Sequence, residues 1–400
     1  MYMNYTPLSK FFYQDKQLFE EIYNDRFNSV STEKFNFKIG DNQAFIVITN
    51  ELLCLTEQIY FLDKKLDSFT NCIPNIALMQ YTKKCLVDEV HLTNEIEGVC
   101  STRKEINDIL NSIDSKESKR RLYGLVQKYN MLSNESIQLK SCQDIRNLYN
   151  ELVLPEVIEE DKDNLPDGQY FRKDHTYVIG KHDKPIHSGI FPEEKVISLM
   201  NKSLELLNNN SYSFLIRIAI FHYLFGYIHP FYDGNGRTSR FISSYLLSQN
   251  LNRLVSYSLS YTIKSNIAQY YKSFKITNDD TNKGDLTPFV LNFLETICKV
   301  YENLEKSLEE RTNKLKFYGE ITQKIAGEDN DFGKLVFILF QNSLFGEKGI
   351  EMSELKESLP YNENKIRNYL KKLESEKLLI INKNSRRYLY DIDLSKAKLI

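Results

Sequence analysis

Fifteen glycines and nine prolines in 400 residues leave few points at which a helix must stop. Between those points apolar residues recur at helical spacing, so the chain is expected to be mainly α-helical. The pattern is clear over 51–66, 77–98, 102–113 and 116–132, then again from Gln143. It resumes over 192–208 and 212–228, continues over 237–249, and covers roughly 263–318. The first ~40 residues, aromatic and polar, show no clear period. Residues 154–189 hold three prolines, three glycines and the alternating run HTYVIG, which predicts a loop carrying a β-hairpin or flap. The last ~80 residues predict three short amphipathic helices at 334–345, 352–359 and 362–378. Two alternating strands follow around a turn at Lys383–Ser385, the order of a winged helix.

Charge narrows the function classes. Fifty-two Lys+Arg against 54 Asp+Glu give a net charge of −2, so binding to a polyanion over the whole surface is excluded and any basic patch is local. Six scattered cysteines form no CxxC pair, which argues against a zinc knuckle, a redox dithiol or a small disulfide scaffold. The opening MYMNYTPLSKFF does not read as a signal peptide. The strongest apolar run, Phe214–Ile228, contains Arg217 and His222 and falls short of the ~20 residues a membrane span needs. A cytoplasmic protein without membrane partners is expected.

The chemistry concentrates in His229-Pro-Phe-Tyr-Asp-Gly-Asn-Gly-Arg-Thr-Ser-Arg240. Pro230 stops the incoming helix. Gly234 and Gly236 allow positive φ or close backbone approach, so that the Asp233–Arg237 amides can share one concavity. That concavity sits at the N-terminus of the outgoing helix, where the dipole favours an anion. Arg237 and Arg240, three apart, lie on one face. The ensemble predicts a polyphosphate site, with His229 as a base for a hydroxyl and Asp233 as a Mg²⁺ ligand. A plain turn explains neither His229 nor the arginines. A calcium loop fails for want of ligands at Arg237 and Ser244, and a Walker loop for want of a GK[ST] ending. His222, one helix face with His229, is expected to be a hydrogen-bonded support residue.

This segment resembles the Fic family signature, HPFx(D/E)GNGRxxR, at every position. The resemblance implies a Fic-type helical bundle with a β-hairpin flap, and transfer of AMP from ATP to a protein hydroxyl. Carried over, His229 is the catalytic base, Phe231 anchors the loop in the core and Asp233 holds Mg²⁺. Gly234, Asn235, Gly236 and Arg237, with Thr238 and Ser239, surround the phosphates, while Arg240 orients the γ-phosphate. Thr93-Asn-Glu-Ile-Glu97-Gly98 is similar to the family's inhibitory helix, (S/T)xxxE(G/N), whose glutamate would occupy Arg240. The flap-like segment implies nucleotide contacts at Tyr177, Val178, Ile179 and Gly180, and target alignment by strand addition. Its usual histidine-proline-rich turn is altered here to KPIHSG. The Tyr270–Asn278 segment is similar to the adenine side, implying contacts from Tyr270 and Asn278.

Three domains are expected: an N-terminal helical region with the inhibitory helix (1–115), a Fic domain (116–312) and a C-terminal winged-helix domain (313–400). Between Tyr361 and Tyr390 eight Lys+Arg (365, 367, 371, 372, 377, 383, 386, 387) face three Glu (363, 374, 376), which leaves DNA and protein both open as partners of the last domain. The leading reading is an autoinhibited, ATP- and Mg²⁺-dependent protein adenylyltransferase acting on a target protein or itself. Removal of AMP at the same site, and a DNA-binding regulator with a Fic-derived sensor core, stand as alternatives. A homodimer is left open.

Overall fold

The computed structural model describes residues 5–112, 121–132, 134–179, 185–384 and 387–400. The described chain is mainly helical with three small antiparallel sheets. Contacts divide it into two compact units, residues 1–63 with 87–301 and residues 64–86 with 302–400.

The N-terminal stretch without a clear period contains α1 (Leu8–Gln14), α2 (Lys16–Phe27) and a hairpin of β1 (Thr32–Ile39) and β2 (Asn42–Val47). Phe35, Phe37 and Ile39 alternate inward on β1, a two-residue period hidden among polar neighbours. Leu8, Phe19 and Phe45 pack together as a small core of their own. The strand β2 is tied to a distant turn: Phe45 N donates to Gly284 O and Leu286 N to Phe45 O.

Two long helices follow, α3 (Asn50–Thr70) and α4 (Asn75–Ile96). Gly98, at φ +78°, closes α4: Val99 N reaches back to Asn94 O and Gly98 N to Glu95 O. These paired bonds need a left-handed residue that glycine adopts without a Cβ clash. Then come α5 (Arg103–Leu110), α6 (Tyr123–Asn130), α7 (Cys142–Leu152) and α8 (Leu154–Glu160). The helix expected over 116–132 is seen as α6, and 116–120 lie outside the described residues. The flap is a short antiparallel pair, β3 (Tyr177–Ile179) and β4 (Pro185–Ser188), with Val178 opposite His187.

After α9 (Glu193–Asn208), α10 (Phe214–Ile228) is buried on nearly every side, as expected of a helix apolar all round. It leads through the glycine loop into α11 (Asn235–Ser248). Short helices α12 (Arg253–Ser256), α13 (Leu259–Ser265) and α14 (Ile267–Asn278) precede α15 (Thr287–Ala326). The helical region expected over 263–318 is thus broken. Lys283 and Gly284 both take positive φ, and buried Asp285 accepts from Thr287 N and from the Tyr5 hydroxyl.

The second unit adds α16 (Asn330–Phe345), β5 (Ile350–Glu351), α17 (Met352–Ser358), α18 (Glu363–Ser375), β6 (Leu379–Asn384), β7 (Arg387–Ile392) and α19 (Leu394–Ala397). Its sheet has the order β5-β7-β6, so a two-residue strand between the helices extends the terminal hairpin. The turn residues Ser385 and Arg386 lie outside the described residues. No helix among the described residues is long and apolar enough to cross a membrane.

Candidate functional site

The last four carbonyls of a helix have no partner within it, and at the end of α10 a buried arginine meets the Ile228 carbonyl and that of the following His229. Arg172, fully inaccessible, donates through Nε to His229 O at 2.8 Å and through Nη2 to Ile228 O at 3.4 Å. The same guanidinium reaches Ile190 O at 2.8 Å and the Asp174 carbonyl. One cation thereby ties the helix end to both flanks of the flap. It leaves no room for a side chain at Gly189, where a Cβ would sit 2.4 Å from Arg172 Nη2.

Held this way, His229 takes a left-handed backbone at φ 52°, ψ 63°. That conformation costs a non-glycine residue on the order of 1 kcal/mol and persists only where its surroundings impose it. Pro230 prevents α10 from continuing. Phe231 is then driven into the core, stacked on Tyr149 at 3.7 Å between ring centres and set edge-on to Phe171. Asn235 clamps the loop across four residues: Phe231 N donates to its Oδ1 at 2.9 Å, and its Nδ2 donates to Phe231 O at 2.7 Å. The Asn235 side chain is therefore a brace for the loop rather than a free phosphate ligand.

Gly234, at φ +79°, opens α11, and no side chain caps that end. The first turn keeps its amide donors unpaired by helix geometry, the arrangement that attracts an anion. These amides face a cleft, partly open to solvent, lined by Glu97, His187, Gly226, His229, Asn235, Gly236, Ser239 and Arg240. Tyr270, Tyr271, Phe274 and Asn278 complete the lining.

Arg240 is buried and held by the end of α4 and the residue after it. Its Nε donates to Thr93 Oγ1 at 2.8 Å, its Nη2 to Thr93 O at 2.9 Å, and Nη2 pairs with Glu97 Oε1 at 2.9 Å. Glu97 also covers Gly236, where a Cβ would lie 2.1 Å from Oε1. Beneath this pair, Glu89 is wholly buried and accepts from Ser260 N, Ser260 Oγ and Tyr129 OH. Burial pushes its carboxyl up to about 7 against the pull of those donors and of Arg240.

The other guanidinium, Arg237, turns away from the cleft. Its Nη1 lies 2.5 Å from Glu156 Oε2, both side chains being buried, and its Nη2 lies 3.4 Å from Asp233 Oδ2. Asp233 also accepts from Gly234 N, and about a third of its side chain is exposed. Thr238 is spent on the backbone, donating to Gly234 O at 2.8 Å.

Two further histidines lie near His229. His222 is buried, with Nδ1 2.7 Å from Ser243 Oγ and Nε2 2.8 Å from the Tyr270 hydroxyl, and burial depresses it to about 3. His187, on β4, donates from Nε2 to Tyr227 O at 2.7 Å, stacks on Tyr227 and is also lowered by burial. Burial likewise brings His229 down to about 4, opposed by Glu97 and reinforced by Arg172 and His187. The imidazole is neutral at physiological pH and free to take a proton.

The structure thus gathers His229, Asn235, Gly236, Ser239, Arg240, Tyr270, Asn278 and Glu97 at one cleft, with Thr93 bonded to the same arginine and Gly98 closing the helix just after Glu97. Gly234 and Asp233 shape the loop, whereas Arg237 and Thr238 do not line the cleft. Asn278 Oδ1 is occupied by the Tyr223 hydroxyl at 2.7 Å. Tyr177, Val178 and Ile179 form β3, with Tyr177 exposed, and Gly180 lies outside the described residues. Sequence reasoning missed Arg172, Glu156, Glu89 and His187.

Residues 140–247 match the family model described as Fic/DOC family. The chain is similar to Protein adenylyltransferase Fic of Drosophila mojavensis, 27% identical over 240 residues, which is 57% of this chain and 43% of that protein. The protein of the same name from Aedes aegypti is 27% identical over 245 residues, 57% of this chain and 44% of that protein. The chain therefore spans less than half the length of these curated relatives. Its fold is similar to the crystal structure of a Fic family protein from Desulfovibrio desulfuricans G20, with TM-score 0.52 and 18% identity over 87% of this chain and 97% of that one. With the loop, the buried clamp and the helical frame in place, residues 140–247 are similar to the Fic/DOC family, and the whole chain resembles a Fic family protein in fold.

Proposed function

We propose that the chain is a protein adenylyltransferase that moves AMP from ATP to a Ser, Thr or Tyr hydroxyl of a target protein or of itself, with Glu97 as its brake. The observation that carries this reading is the grip of Glu97 and Thr93 on Arg240, in the cleft that also holds His229 and the open end of α11. The names of the curated relatives support the reaction class.

Neutral His229 takes the proton as the target oxygen attacks the α-phosphorus, and the bond to the β-phosphate oxygen breaks to release pyrophosphate. The Asn235 and Gly236 amides and the α11 dipole stabilise charge on the transferred phosphoryl group. Asp233 presents a hard, part-exposed carboxylate, a donor that suits Mg²⁺, which takes one or two carboxylates together with phosphate oxygens. Bound there, Mg²⁺ would neutralise phosphate charge. Glu97 competes with the γ-phosphate for Arg240. The flap offers a strand edge beside His229 for the target segment.

The test is transfer of labelled ATP by wild type, Glu97→Gly and His229→Ala. Label rises in the first variant and vanishes in the second. No transfer from Glu97→Gly, to itself or to any lysate protein, refutes the reading.

A second reading is favoured by the position of Glu97 over Gly236, from which a carboxylate can align water against an AMP-modified hydroxyl. It predicts AMP release by wild type and none by Glu97→Gly. We also propose the functional division 1–115, 116–312 and 313–400, the last a winged helix. Lys365 pairs with Asp331, Arg367 with Glu363, and Lys372 lies over the Phe332 ring, so the partner of this unit is proposed as DNA or protein, a second copy of the chain included. Arg386 lies outside the described residues. Six free cysteines are compatible with a reducing, cytoplasmic setting.

A further inference from the structure

A buried ion pair that leaves polar atoms unsatisfied adds little net stability, so its consequence is sought in geometry. The Glu156–Arg237 pair is of this kind. Both side chains are inaccessible, and 81 residues separate them in the chain. Glu156 Oε1 and Arg237 Nε are both buried without a hydrogen-bond partner. The guanidinium bridges two carboxylates unequally, 2.5 Å from Glu156 and 3.4 Å from Asp233. Burial raises the Glu156 carboxyl, and the Arg237 guanidinium beside it pulls the other way, with Glu160 adding to the rise and Arg121 opposing it.

We propose that Glu156 is a positioning residue for Asp233: it draws Arg237 away, so that Asp233 is steadied by the cation without being consumed by it. This inference rests on the reading that Asp233 binds Mg²⁺ with the nucleotide phosphates. Asp233 Oδ1 accepts from Gly234 N, and Oδ2, which accepts only a long bond from Arg237 Nη2 at 3.4 Å, keeps its other lone pair for a cation. A full ion pair between Arg237 and Oδ2 would cancel the charge that attracts the metal. Glu156 prevents this by neutralising the guanidinium from the buried side. Without it, Arg237 is left with a buried, unpaired charge, and Asp233 is the carboxylate within reach. The same arrangement explains why Arg237, despite its place in the loop, does not line the cleft.

The test is direct Mn²⁺ binding, followed by electron paramagnetic resonance, to full-length protein loaded with a non-hydrolysable ATP analogue. Glu97→Gly is the parent, compared with Glu97→Gly/Glu156→Gln and Glu97→Gly/Glu156→Asp. Groups that orient a metal ligand typically affect affinity about 10- to 100-fold. The Gln variant is expected to weaken Mn²⁺ binding at least about tenfold, the Asp variant to recover part of it, and analogue affinity in EDTA to stay at the parent's value. Mn²⁺ affinity within about twofold of the parent in the Gln variant overturns the proposal. Should the Gln variant not fold, Glu97→Gly/Glu156→Leu is read by the same criterion, and parent-like Mn²⁺ affinity there overturns the proposal. A parent that binds neither analogue nor Mn²⁺ overturns the functional reading first, and this inference with it.

Discussion

Around the loop before α11, Arg172, Arg237 and Arg240 are buried, and each is met by acceptors fixed elsewhere in the chain: four carbonyls, the Glu156 carboxylate, and Thr93 with Glu97. In the C-terminal unit Lys365 and Arg367 keep 41% and 54% of their side chains exposed and pair with Asp331 and Glu363, themselves more than a third exposed. Near the loop, removal from water makes each cation choose one geometry, because an unmet buried charge is costly. On the exposed helix the same ion-pair chemistry is screened and interchangeable. Counting charge from sequence treats the two regions alike, whereas burial makes one a machine part and the other a surface.

The widest test of this contrast is Arg172→Ala, which removes the donor to His229 O and the tie to Asp174 and Ile190 and frees His229 from its left-handed backbone. It is expected to cost about 3 kcal/mol in urea denaturation and to abolish transfer. Unchanged stability would mean that water replaces the guanidinium and that the loop is not built on it.

Glu97→Gly comes next. Removing a charged hydrogen-bond partner of Arg240 is worth about 1.5–3 kcal/mol, so ATP affinity measured by calorimetry is expected to rise roughly ten- to a hundredfold. An unchanged affinity would leave the Glu97–Arg240 contact without regulatory consequence.

Acid titration sharpens the comparison. His222 and His229 are depressed by burial to about 3 and about 4. Their stabilising effect is complete above the ordinary value near 6.5 and is lost as pH falls toward the folded-state values, because the unfolded chain binds the protons first. Melting temperature should therefore fall steadily below pH ~6.5, and His222→Gln should flatten that slope. Transfer that depends on unprotonated His229 should persist well below pH ~6.5, and a rate falling with an ordinary histidine midpoint would contradict the burial argument.

The smallest effect belongs to the exposed pair. Arg367→Ala is expected to leave the melting temperature within about 2 °C of the parent, and a larger drop would show that its pairing with Glu363 is structural.

The loop was legible because its information is contiguous: glycines, proline, histidine and arginines stand within twelve residues and act on their own backbone. Thr93 and Glu97 were legible as one helix face ending at a glycine. Arg172 and Glu156 were not, since Arg172 binds carbonyls, which leave no trace in side-chain identity, and Glu156 meets a partner 81 positions away. Of the fold, long amphipathic helices and the terminal helix-hairpin order could be read directly. The β1–β2 hairpin could have been found from Phe35, Phe37 and Ile39. The break between α14 and α15 lies at Lys283 and Gly284, both at positive φ, and Asp285 beside them is also met by Tyr5 across 280 residues, a contact that no local window contains.

The central claim is that this cleft transfers AMP and that Glu97 restrains it. The most direct measurement gives Glu97→Gly, and in parallel wild type and His229→Ala, ATP labelled at either the α- or the γ-phosphorus. The account predicts α-label on protein from Glu97→Gly, far less from wild type, none from His229→Ala, and no γ-label from any. Protein labelled from the γ-phosphorus, or equal α-labelling by wild type and Glu97→Gly, would contradict it.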